Sequence, residues 1–282
     1  MQIISDPAKM SEWALQQIRK GQAIALVPTM GFFHEGHLAL MRTAAEHGDK
    51  VVVSLFVNPL QFAPGEDLDA YPRDFERDRA MAEEERVDVL FAPVATDMYG
   101  SESRTRVSVG GLTEGLCGRS RPGHFDGVCT VVAKLFNLVM PQVAVFGSKD
   151  FQQLAVIRRM VRDLDWQIKI IDLPTVREKD GLAMSSRNSY LTREERVRAL
   201  CLFKGIQMAR DLAAAGVLDS RKILREIENH IASSGVDGIE YLEIVNSENL
   251  HPVSSIDESS LLAMAVKIGK TRLIDNAFLL QN

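Results

Sequence analysis

Short apolar runs alternate with helix-like stretches along the first two-thirds of the chain. The runs predict strands at residues 23–27, 51–57, 87–91, 143–146 and 168–171, and the patterns between them predict helices at 37–47, 73–85, 127–139 and 150–164. Continuous Val, Ile and Leu runs are typical of strands that are buried on both faces, as in a parallel sheet. The alternation therefore predicts a doubly wound α/β fold.

The pattern changes after Pro174. Residues 192–215 and 220–233 predict two helices, and residues 239–245, 263–268 and 272–274 predict strands. Helices followed by strands indicate a second, smaller α+β domain. We expect domains at residues 1–175 and 176–282, and we expect the glycine-rich segment 106–123 to form an irregular loop or a small hairpin.

Composition narrows the class of protein. Of 282 residues, 46% are hydrophobic and 25% are charged, which is ordinary for a globular protein, and the net charge of -5 argues against a nucleic-acid binder. The three cysteines, Cys117, Cys129 and Cys201, include no C-x-x-C pair and fit a reducing compartment. Since no signal peptide or membrane span is recognisable, we expect a cytoplasmic protein without a membrane partner.

Two histidines mark the turn that follows the first predicted strand. His34 and His37 lie where a helix should begin, and Gly31 and Gly36 allow close approach of a ligand. A helix N-terminus presents N–H groups and the positive end of a dipole, which suit phosphate and hence a nucleotide. Two surface histidines, or a metal pair without an identifiable third ligand, are the alternatives.

Two further polar turns have the same character. Gly147, Ser148, Lys149 and Asp150 follow a predicted strand, and Lys149 is a suitable phosphate contact. A second loop, which suits a polyphosphate, places two hydroxyls and a cation together in Met184, Ser185, Ser186 and Arg187. Each turn is also compatible with an ordinary solvated loop. Because strand-to-helix turns meet at one edge of a parallel sheet, their recurrence favours a shared site.

Three further sequence features are candidates for a ligand site: two glutamines, a basic turn and a partial nucleotide-binding motif. Gln61 and Gln153 offer hydrogen bonds that can hold a hydroxy acid without a strong ion pair, although a buried amide network is the alternative. Residues 121–128 form a basic turn that is either a wall of the site or simply the start of a helix. Residues 269–271 resemble the end of a P-loop, but Met264 stands where that motif requires glycine.

Together these motifs resemble the pantoate–β-alanine ligase family over almost the whole chain. The segments that carry the resemblance are PTMGFFHEGH, VNPLQF, YPRDFERD, RPGHFDGV, FGSKDFQQ, DGLAMSSRNSYL and IGKTRLIDN. That family belongs to the adenylyl-transferring, Rossmann-like group with an H-x-G-H element. Ser148 is a variation, since relatives often carry Glu or Gln there.

The resemblance implies ligation of pantoate and β-alanine to pantothenate through a pantoyl adenylate, with ATP as co-substrate and Mg²⁺. It implies that Gln61 and Gln153 bind pantoate, with Gln61 also near β-alanine. The catalytic residues that it implies are His34, His37, Lys149, Ser185, Ser186 and Arg187. The ATP-binding residues that it implies are Met30, Gly31, Phe32, Phe33, His34, Glu35, Gly36, His37, Gly147, Ser148, Lys149, Asp150, Val176, Met184, Ser185, Ser186 and Arg187.

The resemblance also implies a homodimer, a C-terminal domain that covers the ATP site, and a mobile cover formed by residues 63–77. The magnesium ligands stay open, and we expect them to be mainly phosphate oxygens and water. Two alternatives remain for the function. A related nucleotidyltransferase would stop after nucleotide transfer, and a nucleotide-binding regulator would share the fold without turnover.

Overall fold

The computed structural model describes residues 1–280. Its strands form two sheets. The first is parallel, with the order β1-β4-β3-β2-β5-β6, and the second is antiparallel, with the order β7-β8-β9. The strands are β1 (Gln2–Ile4), β2 (Ile24–Thr29), β3 (Lys50–Leu55), β4 (Val89–Phe91), β5 (Val143–Gly147), β6 (Lys169–Leu173), β7 (Gly238–Asn246), β8 (Ser260–Ile268) and β9 (Thr271–Phe278).

Helices connect the strands of the parallel sheet and precede the antiparallel one. The α-helices of the described residues are α1 (Pro7–Arg19), α2 (Glu35–His47), α3 (Phe75–Glu84), α4 (Ala95–Met98), α5 (Leu116–Ser120), α6 (His124–Val139), α7 (Phe151–Asp163), α8 (Arg193–Ala199), α9 (Cys201–Ala214) and α10 (Ser220–Ser233). Short 3-10 turns occupy Pro59–Gln61, Ser148–Asp150 and Ser186–Tyr190. Across residues 1–280, no helix has both the length and the apolar character that crossing a bilayer requires.

The chain divides into two compact units. The first contains Met1–Val109, Arg121–Ser148 and Val156–Pro174, and therefore the whole parallel sheet. The second contains Gly110–Ser120, Lys149–Ala155 and the chain from Thr175 onward, with the antiparallel sheet. The predicted fold class is confirmed: a doubly wound parallel sheet with helices, and a smaller α+β part. The boundary between residues 175 and 176 stays a prediction about domains.

Strands β2 and β3 form the buried centre of the parallel sheet. Their side chains with almost no exposure include Leu26, Val27, Val52 and Val53. At the carboxyl end of the sheet, Thr29 of β2 is in register with Leu55 of β3, and β5 pairs with the other side of β2. The turns that follow these strands therefore lie at the same edge of the sheet.

Several elements differ from the sequence prediction. The apolar pattern does not predict the strand β1 or the helix α1, and two of the three residues of β1 are exposed. The helix predicted at 192–215 is interrupted at Leu200, which separates α8 from α9. The segment 106–123, predicted to be irregular, contains α5. The last strand extends to Phe278, beyond the predicted end at residue 274.

Candidate active site

The two histidines of the first turn cap the helix that they begin. His34 is the N-cap residue of α2, and its Nδ1 accepts a hydrogen bond from the Gly36 N–H at 3.2 Å. In return, Nδ1 of His37 accepts from the His34 N–H at 3.3 Å, and the two ring centroids are 4.1 Å apart. This reciprocal pattern is a capping box that uses imidazoles instead of the usual hydroxyl and carboxylate.

The capping box assigns the tautomers of both rings. A ring nitrogen that accepts a hydrogen bond carries no hydrogen, so the neutral forms of His34 and His37 carry theirs on Nε2. The sequence suggests that the N–H groups of this turn bind phosphate, but those of His34 and Gly36 donate to imidazole nitrogens instead. The rings therefore contribute Nε2–H donors at this end of α2.

A buried carboxylate holds the turn that leads to the histidines. Asp78 on α3 accepts hydrogen bonds from the N–H groups of Phe32 and Phe33, both at 2.6 Å, and it is 1% exposed. Phe32 has a φ of 52° and Gly31 a φ of 85°, so both residues lie in the left-handed region. Burial raises the pKa of Asp78 above its ordinary value, although both amide bonds act in the opposite direction.

Arg77 supports the same turn through a second set of contacts. Its guanidinium donates to the Phe33 carbonyl at 2.9 Å and lies 5.1 Å from the centre of the Phe32 ring. A Cβ on Gly31 would lie 2.9 Å from an Asp78 oxygen, so glycine is needed there for steric as well as conformational reasons. The sequence alone does not mark Arg77 or Asp78 as site residues, and the only signal is the YPRDFERD motif.

Two residues of the predicted ATP-binding run have side chains that are engaged elsewhere. The Phe33 ring is fully buried among the core residues of the parallel sheet, 5.5 Å from the His37 ring. The Glu35 carboxylate forms an exposed ion pair with Arg42 at 2.5 Å. The Phe33 ring is therefore closed to a ligand, and the Glu35 carboxylate directs its charge toward Arg42.

Gln61 lies in a buried network of amides in the first unit. Its Nε2 donates to the Met30 sulfur at 3.0 Å, and its Oε1 accepts from Asn58 Nδ2 at 3.1 Å. Asn58 also donates to the Gly127 carbonyl at 3.0 Å and accepts from the Tyr99 hydroxyl at 2.8 Å. The network places the residue predicted to bind pantoate beside Met30, which belongs to the predicted ATP-binding turn.

Asn58 is a further site residue that the sequence alone does not mark. It is 1% exposed, and its side chain orients the Gln61 amide because it donates to the carboxamide oxygen. A Cβ on Gly127 would lie 2.3 Å from the Leu60 carbonyl oxygen, so a glycine lets α6 approach this turn closely. The motif VNPLQF contains Asn58, but only the fold shows that its amide faces Gln61.

The basic turn at the start of α6 also contacts the backbone of Gln61. His124 Nδ1 lies 2.8 Å from the Gln61 carbonyl oxygen, and an Arg121 nitrogen donates to the same oxygen at 3.2 Å. The Arg121 guanidinium also donates to both oxygens of Glu66, at 2.7 and 2.6 Å. Burial raises the pKa of the Glu66 carboxyl, but Arg121, the Ala63 N–H and His124 together outweigh burial, so the net shift is downward.

The ion pair between Arg121 and Glu66 also holds part of the segment 63–77, the predicted mobile cover. Glu66 belongs to the segment 63–77, and its Oε2 also accepts from the Ala63 N–H at 3.2 Å. The side chains of Arg121 and Glu66 are only 12% and 23% exposed. The basic turn is therefore more than the start of a helix, because it supports both the backbone of Gln61 and the segment 63–77.

The second polar turn crosses the boundary between the two compact units. In the first unit, Ser148 follows β5, and its hydroxyl lies 3.4 Å from an Asp172 oxygen. In the second unit, the Lys149 ammonium pairs with the carboxylate of Asp150 at 3.6 Å. Each of these polar side chains is therefore engaged within its own unit, and the pairing of Lys149 is a long one.

The two glutamines at the start of α7 differ in burial. Gln153, which the sequence predicts for the site, is half-buried. The neighbouring Gln152 is buried, accepts from the Cys117 N–H at 2.9 Å, and donates to the carbonyls of Leu112 and Gly115, both at 2.9 Å. Gln152 therefore ties α7 to the segment 110–120, and Gln153 is the glutamine with surface left for a ligand.

The third polar turn follows a short hairpin in the second unit. Met184 donates its N–H to the Val176 carbonyl at 2.9 Å, which closes the hairpin at the start of the predicted segment. Ser185 caps the next 3-10 turn because its hydroxyl accepts from the Arg187 N–H at 3.3 Å. Ser186 is buried, whereas Met184, Ser185 and Arg187 are half-buried.

Comparison with known proteins decides the family. Residues 2–278 match the family described as Pantoate-beta-alanine ligase. The chain belongs to this family. A curated pantothenate synthetase of Syntrophotalea carbinolica is 52% identical over 281 residues, which cover 100% of this chain and 99% of the relative. These findings confirm the predicted activity of the pantoate–β-alanine ligase family, the ligation of pantoate and β-alanine to pantothenate.

Solved structures of pantoate–β-alanine ligases have the same fold. The pantothenate synthetase from Thermus thermophilus superimposes with a TM-score of 0.94 at 45% identity, covering 99% of both chains. A pantoate-beta-alanine ligase from Francisella tularensis has a TM-score of 0.85 at 33% identity, and covers 100% of this chain and 99% of that one. That relative was solved in complex with beta-gamma ATP and beta-alanine.

Proposed function

We propose that this chain joins pantoate to β-alanine in two steps through a pantoyl adenylate, with ATP as co-substrate. A carboxylate oxygen of pantoate attacks the α-phosphorus of ATP, and pyrophosphate leaves. The amine of β-alanine then attacks the acyl carbonyl and loses a proton, and AMP leaves with the oxygen that bridged the two groups. The Francisella relative supports this proposal, since it was solved with beta-gamma ATP and beta-alanine.

The reciprocal cap between His34 and His37 is the observation that carries the first step. Their Nδ1 atoms are held by backbone N–H groups, so each ring is fixed in orientation with its hydrogen on Nε2. Donors fixed before reaction stabilise developing charge without reorganisation, and here they lie at the positive end of the α2 dipole. We assign to His37 the stabilisation of charge on the phosphoryl group and to His34 a supporting role.

Cationic and hydroxyl side chains of the second unit complete the phosphate contacts in this proposal. Lys149 supplies an ammonium, and its present partner Asp150 lies at 3.6 Å, a distance at which the pair is readily exchanged for a phosphate. Arg187 supplies a planar donor set, and Ser185 and Ser186 supply hydroxyls. These groups neutralise the pyrophosphate that leaves.

The amides take the role of pantoate ligands. Asn58 holds the side-chain oxygen of Gln61, and His124 and Arg121 contact its backbone carbonyl oxygen, so the position of Gln61 is fixed before substrate binds. A neutral carboxamide can orient the hydroxyl and carboxylate groups of pantoate without lowering the nucleophilicity of the carboxylate through an ion pair. We assign the same role to Gln153 and place Gln61 near β-alanine as well.

Magnesium enters this proposal as part of the nucleotide substrate. Within residues 1–280, no three or more His, Cys, Asp or Glu side chains are grouped so that they could hold a metal ion. Mg²⁺ commonly retains several waters and binds to substrate phosphates. We therefore propose a magnesium–ATP complex whose metal is held mainly by phosphate oxygens and water.

The remaining ATP contacts are backbone and side-chain groups of the same turns. They are Met30, Gly31, Phe32, Phe33, Glu35, Gly36, Gly147, Ser148, Val176 and Met184. We further propose that the C-terminal domain covers the ATP site, that residues 63–77 close over the substrates, and that the enzyme is a cytoplasmic homodimer. Light scattering of the purified protein tests the dimeric state, and fractionation of the source cells tests the cytoplasmic location.

Exchange of labelled pyrophosphate into ATP tests the two-step route. We expect exchange only when pantoate is present, because pyrophosphate must re-form ATP from pantoyl adenylate. Addition of β-alanine should then release AMP in amounts equal to pantothenate. Exchange without pantoate would indicate a nucleotidyltransferase of another kind, and the complete absence of exchange in an active preparation would contradict a reversible adenylate.

A further inference from the structure

The segment Met184–Arg187 is attached to the second unit through a short hairpin. Arg177 and Ala183 form an antiparallel bridge, and Glu178 donates and accepts backbone hydrogen bonds across the turn. The hairpin is closed at its base by the bond from the Met184 N–H to the Val176 carbonyl at 2.9 Å. The position of the hydroxyls that follow therefore depends on what holds this hairpin.

Arg177 holds the hairpin through a buried ion pair with Asp275 of β9. Its two terminal nitrogens donate to the two carboxylate oxygens at 2.6 and 2.9 Å. The same guanidinium donates to the Gly181 carbonyl at 3.1 Å and lies 4.9 Å from the centre of the Phe203 ring. The Asp275 side chain is 1% exposed. A bidentate pair fixes orientation as well as distance, so the hairpin has one preferred position on β9.

Asn276, the next residue of β9, contacts the turn that contains Lys149, a second segment predicted to bind phosphate. Asn276 donates its Nδ2–H to the carbonyl oxygen of Lys149 at 2.7 Å. Two positions further along β9, the Phe278 ring contacts the Phe151 ring edge to face at a centroid distance of 5.6 Å. Successive residues of a strand point to opposite faces, so Asp275 and Asn276 contact different segments from adjacent positions.

We propose that Asp275 and Asn276 are positioning residues for the reaction, a role that rests on the proposed function. Asp275 acts through Arg177 on the segment Met184–Arg187, and Asn276 acts through the backbone of Lys149. The end of the motif IGKTRLIDN, which has no place in the predicted site, thereby fixes two phosphate-contacting segments to adjacent positions of one strand. Neither side chain needs to touch a substrate.

The arrangement is better suited to orientation than to stability. A buried ion pair costs desolvation of both charges, and its net contribution to folding is often close to zero. The same bidentate pair removes conformational freedom from a loop that must be ordered before phosphoryl transfer. A small displacement of either segment would therefore lower kcat while the fold is retained.

Asp275→Asn and Asn276→Ala test the two halves of the proposal separately. We expect each change to lower kcat for pantoate-dependent pyrophosphate exchange on the order of 10- to 100-fold, as misplacement of a reacting group does. The KM for pantoate should stay within about twofold, since neither residue contacts Gln61 or Gln153, the glutamines proposed to bind pantoate. Glu240→Gln is the matched control, because it removes an ion-pair partner from Arg272 of the same strand β9, and we expect normal exchange.

Double variants separate positioning from a general structural effect. If Asp275 acts through the loop, Asp275→Asn should cost little more once Ser186→Ala has removed a loop hydroxyl, so the effects should not add. Asn276→Ala and Lys149→Ala should show the same non-additivity. Full additivity, or wild-type kcat in both single variants with only a lower melting temperature, would overturn the proposal.

An alternative variant, Arg177→Lys, and a parallel assay of the wild type cover the remaining outcomes. Should Asp275→Asn fail to fold, Arg177→Lys keeps the charge but loses the bidentate geometry, and its kcat should fall in the same way. Wild-type kcat in Arg177→Lys would overturn the Asp275 half. Wild-type protein is assayed in parallel: if it shows no pantoate-dependent exchange, the proposed function fails, whereas normal wild-type exchange with unaffected variants rejects only the positioning role.

Discussion

The Asp78 carboxylate accepts the backbone N–H of Phe33 at 2.6 Å, and its other oxygen accepts the N–H of Phe32 at the same distance. The two bonds join α3 to the turn between β2 and α2. They hold Phe32 in a left-handed conformation that a residue with a side chain rarely adopts. The position of the histidines therefore depends on a carboxylate that lies far away along the chain.

Asp78→Ala is expected to destabilise the protein and impair catalysis together. Each buried N–H that loses its acceptor costs about 1–3 kcal/mol, so the free energy of unfolding measured in urea should fall clearly. Asp78→Asn keeps one acceptor oxygen and should lie between the wild type and Asp78→Ala. Asp163→Ala, which removes an exposed carboxylate paired with Arg159, is the control. Unchanged stability in Asp78→Ala would show that the turn at Phe32 and Phe33 does not depend on the Asp78 carboxylate.

His37→Ala is expected to lower kcat for pantoate-dependent exchange by about 100- to 1000-fold, which is typical when a fixed donor to a developing charge is lost. The matched control is His47→Ala at the other end of α2, where the exposed ring lies 2.9 Å from the Thr43 carbonyl oxygen. Steady-state kinetics measure both variants. Near-normal turnover in His37→Ala would remove that residue from the mechanism.

Asn58→Ala is expected to act on pantoate binding through Gln61. Without the Asn58 donor, the Gln61 carboxamide loses its fixed orientation, and the KM for pantoate should rise about tenfold, which corresponds to about 1.4 kcal/mol. Tyr99→Phe removes only the hydroxyl that donates to Asn58, so its effect should be smaller. An unchanged KM for pantoate in Asn58→Ala would mean that Gln61 is not oriented in this way.

Glu66→Gln is expected to lower the free energy of unfolding at neutral pH but not in acid. The folded-state pKa of Glu66 lies below the ordinary value of 4.5, so the carboxylate stabilises the fold above that pH. This contribution is lost as the pH falls from about 4.5 through the lowered folded-state pKa. At neutral pH, the variant should lose roughly 1 kcal/mol, a value reduced by partial exposure of the pair.

Urea unfolding of wild type and Glu66→Gln over a series of pH values measures this difference. Glu76→Gln serves as the control, because its carboxylate is exposed and pairs with Arg79 at 3.3 Å. A stability difference between wild type and Glu66→Gln that is as large in acid as at neutral pH would contradict an origin in the Glu66 charge.

Much of the fold was predictable because its signals are local. The apolar runs of β2, β3 and β5 are buried, and each precedes a recognisable turn. The full length of β9 was not predictable, since Asp275 in its buried face resembles a strand end. Its burial becomes possible through Arg177, a partner 98 residues away in the chain.

The candidate site divides along the same line between local and distant contacts. The position of His34 and His37 at the start of a helix was predictable because it depends on residues only two or three positions apart, whereas their reciprocal cap was not predicted and their catalytic role stays a prediction. Asp78 was not, since it meets the turn across 45 and 46 residues of chain. Asn58 was visible in a motif, but its role depends on the amide of Gln61 and the close approach of Gly127.

The fate of the pantoate carboxylate oxygens shows whether a pantoyl adenylate forms. Pantoate labelled with oxygen-18 in its carboxylate is incubated with ATP, β-alanine and the enzyme, and the AMP is analysed by mass spectrometry. Attack of the carboxylate on the α-phosphorus, followed by cleavage of the acyl–oxygen bond, predicts one labelled oxygen in each AMP. Pantothenate formed together with unlabelled AMP would contradict a pantoyl adenylate.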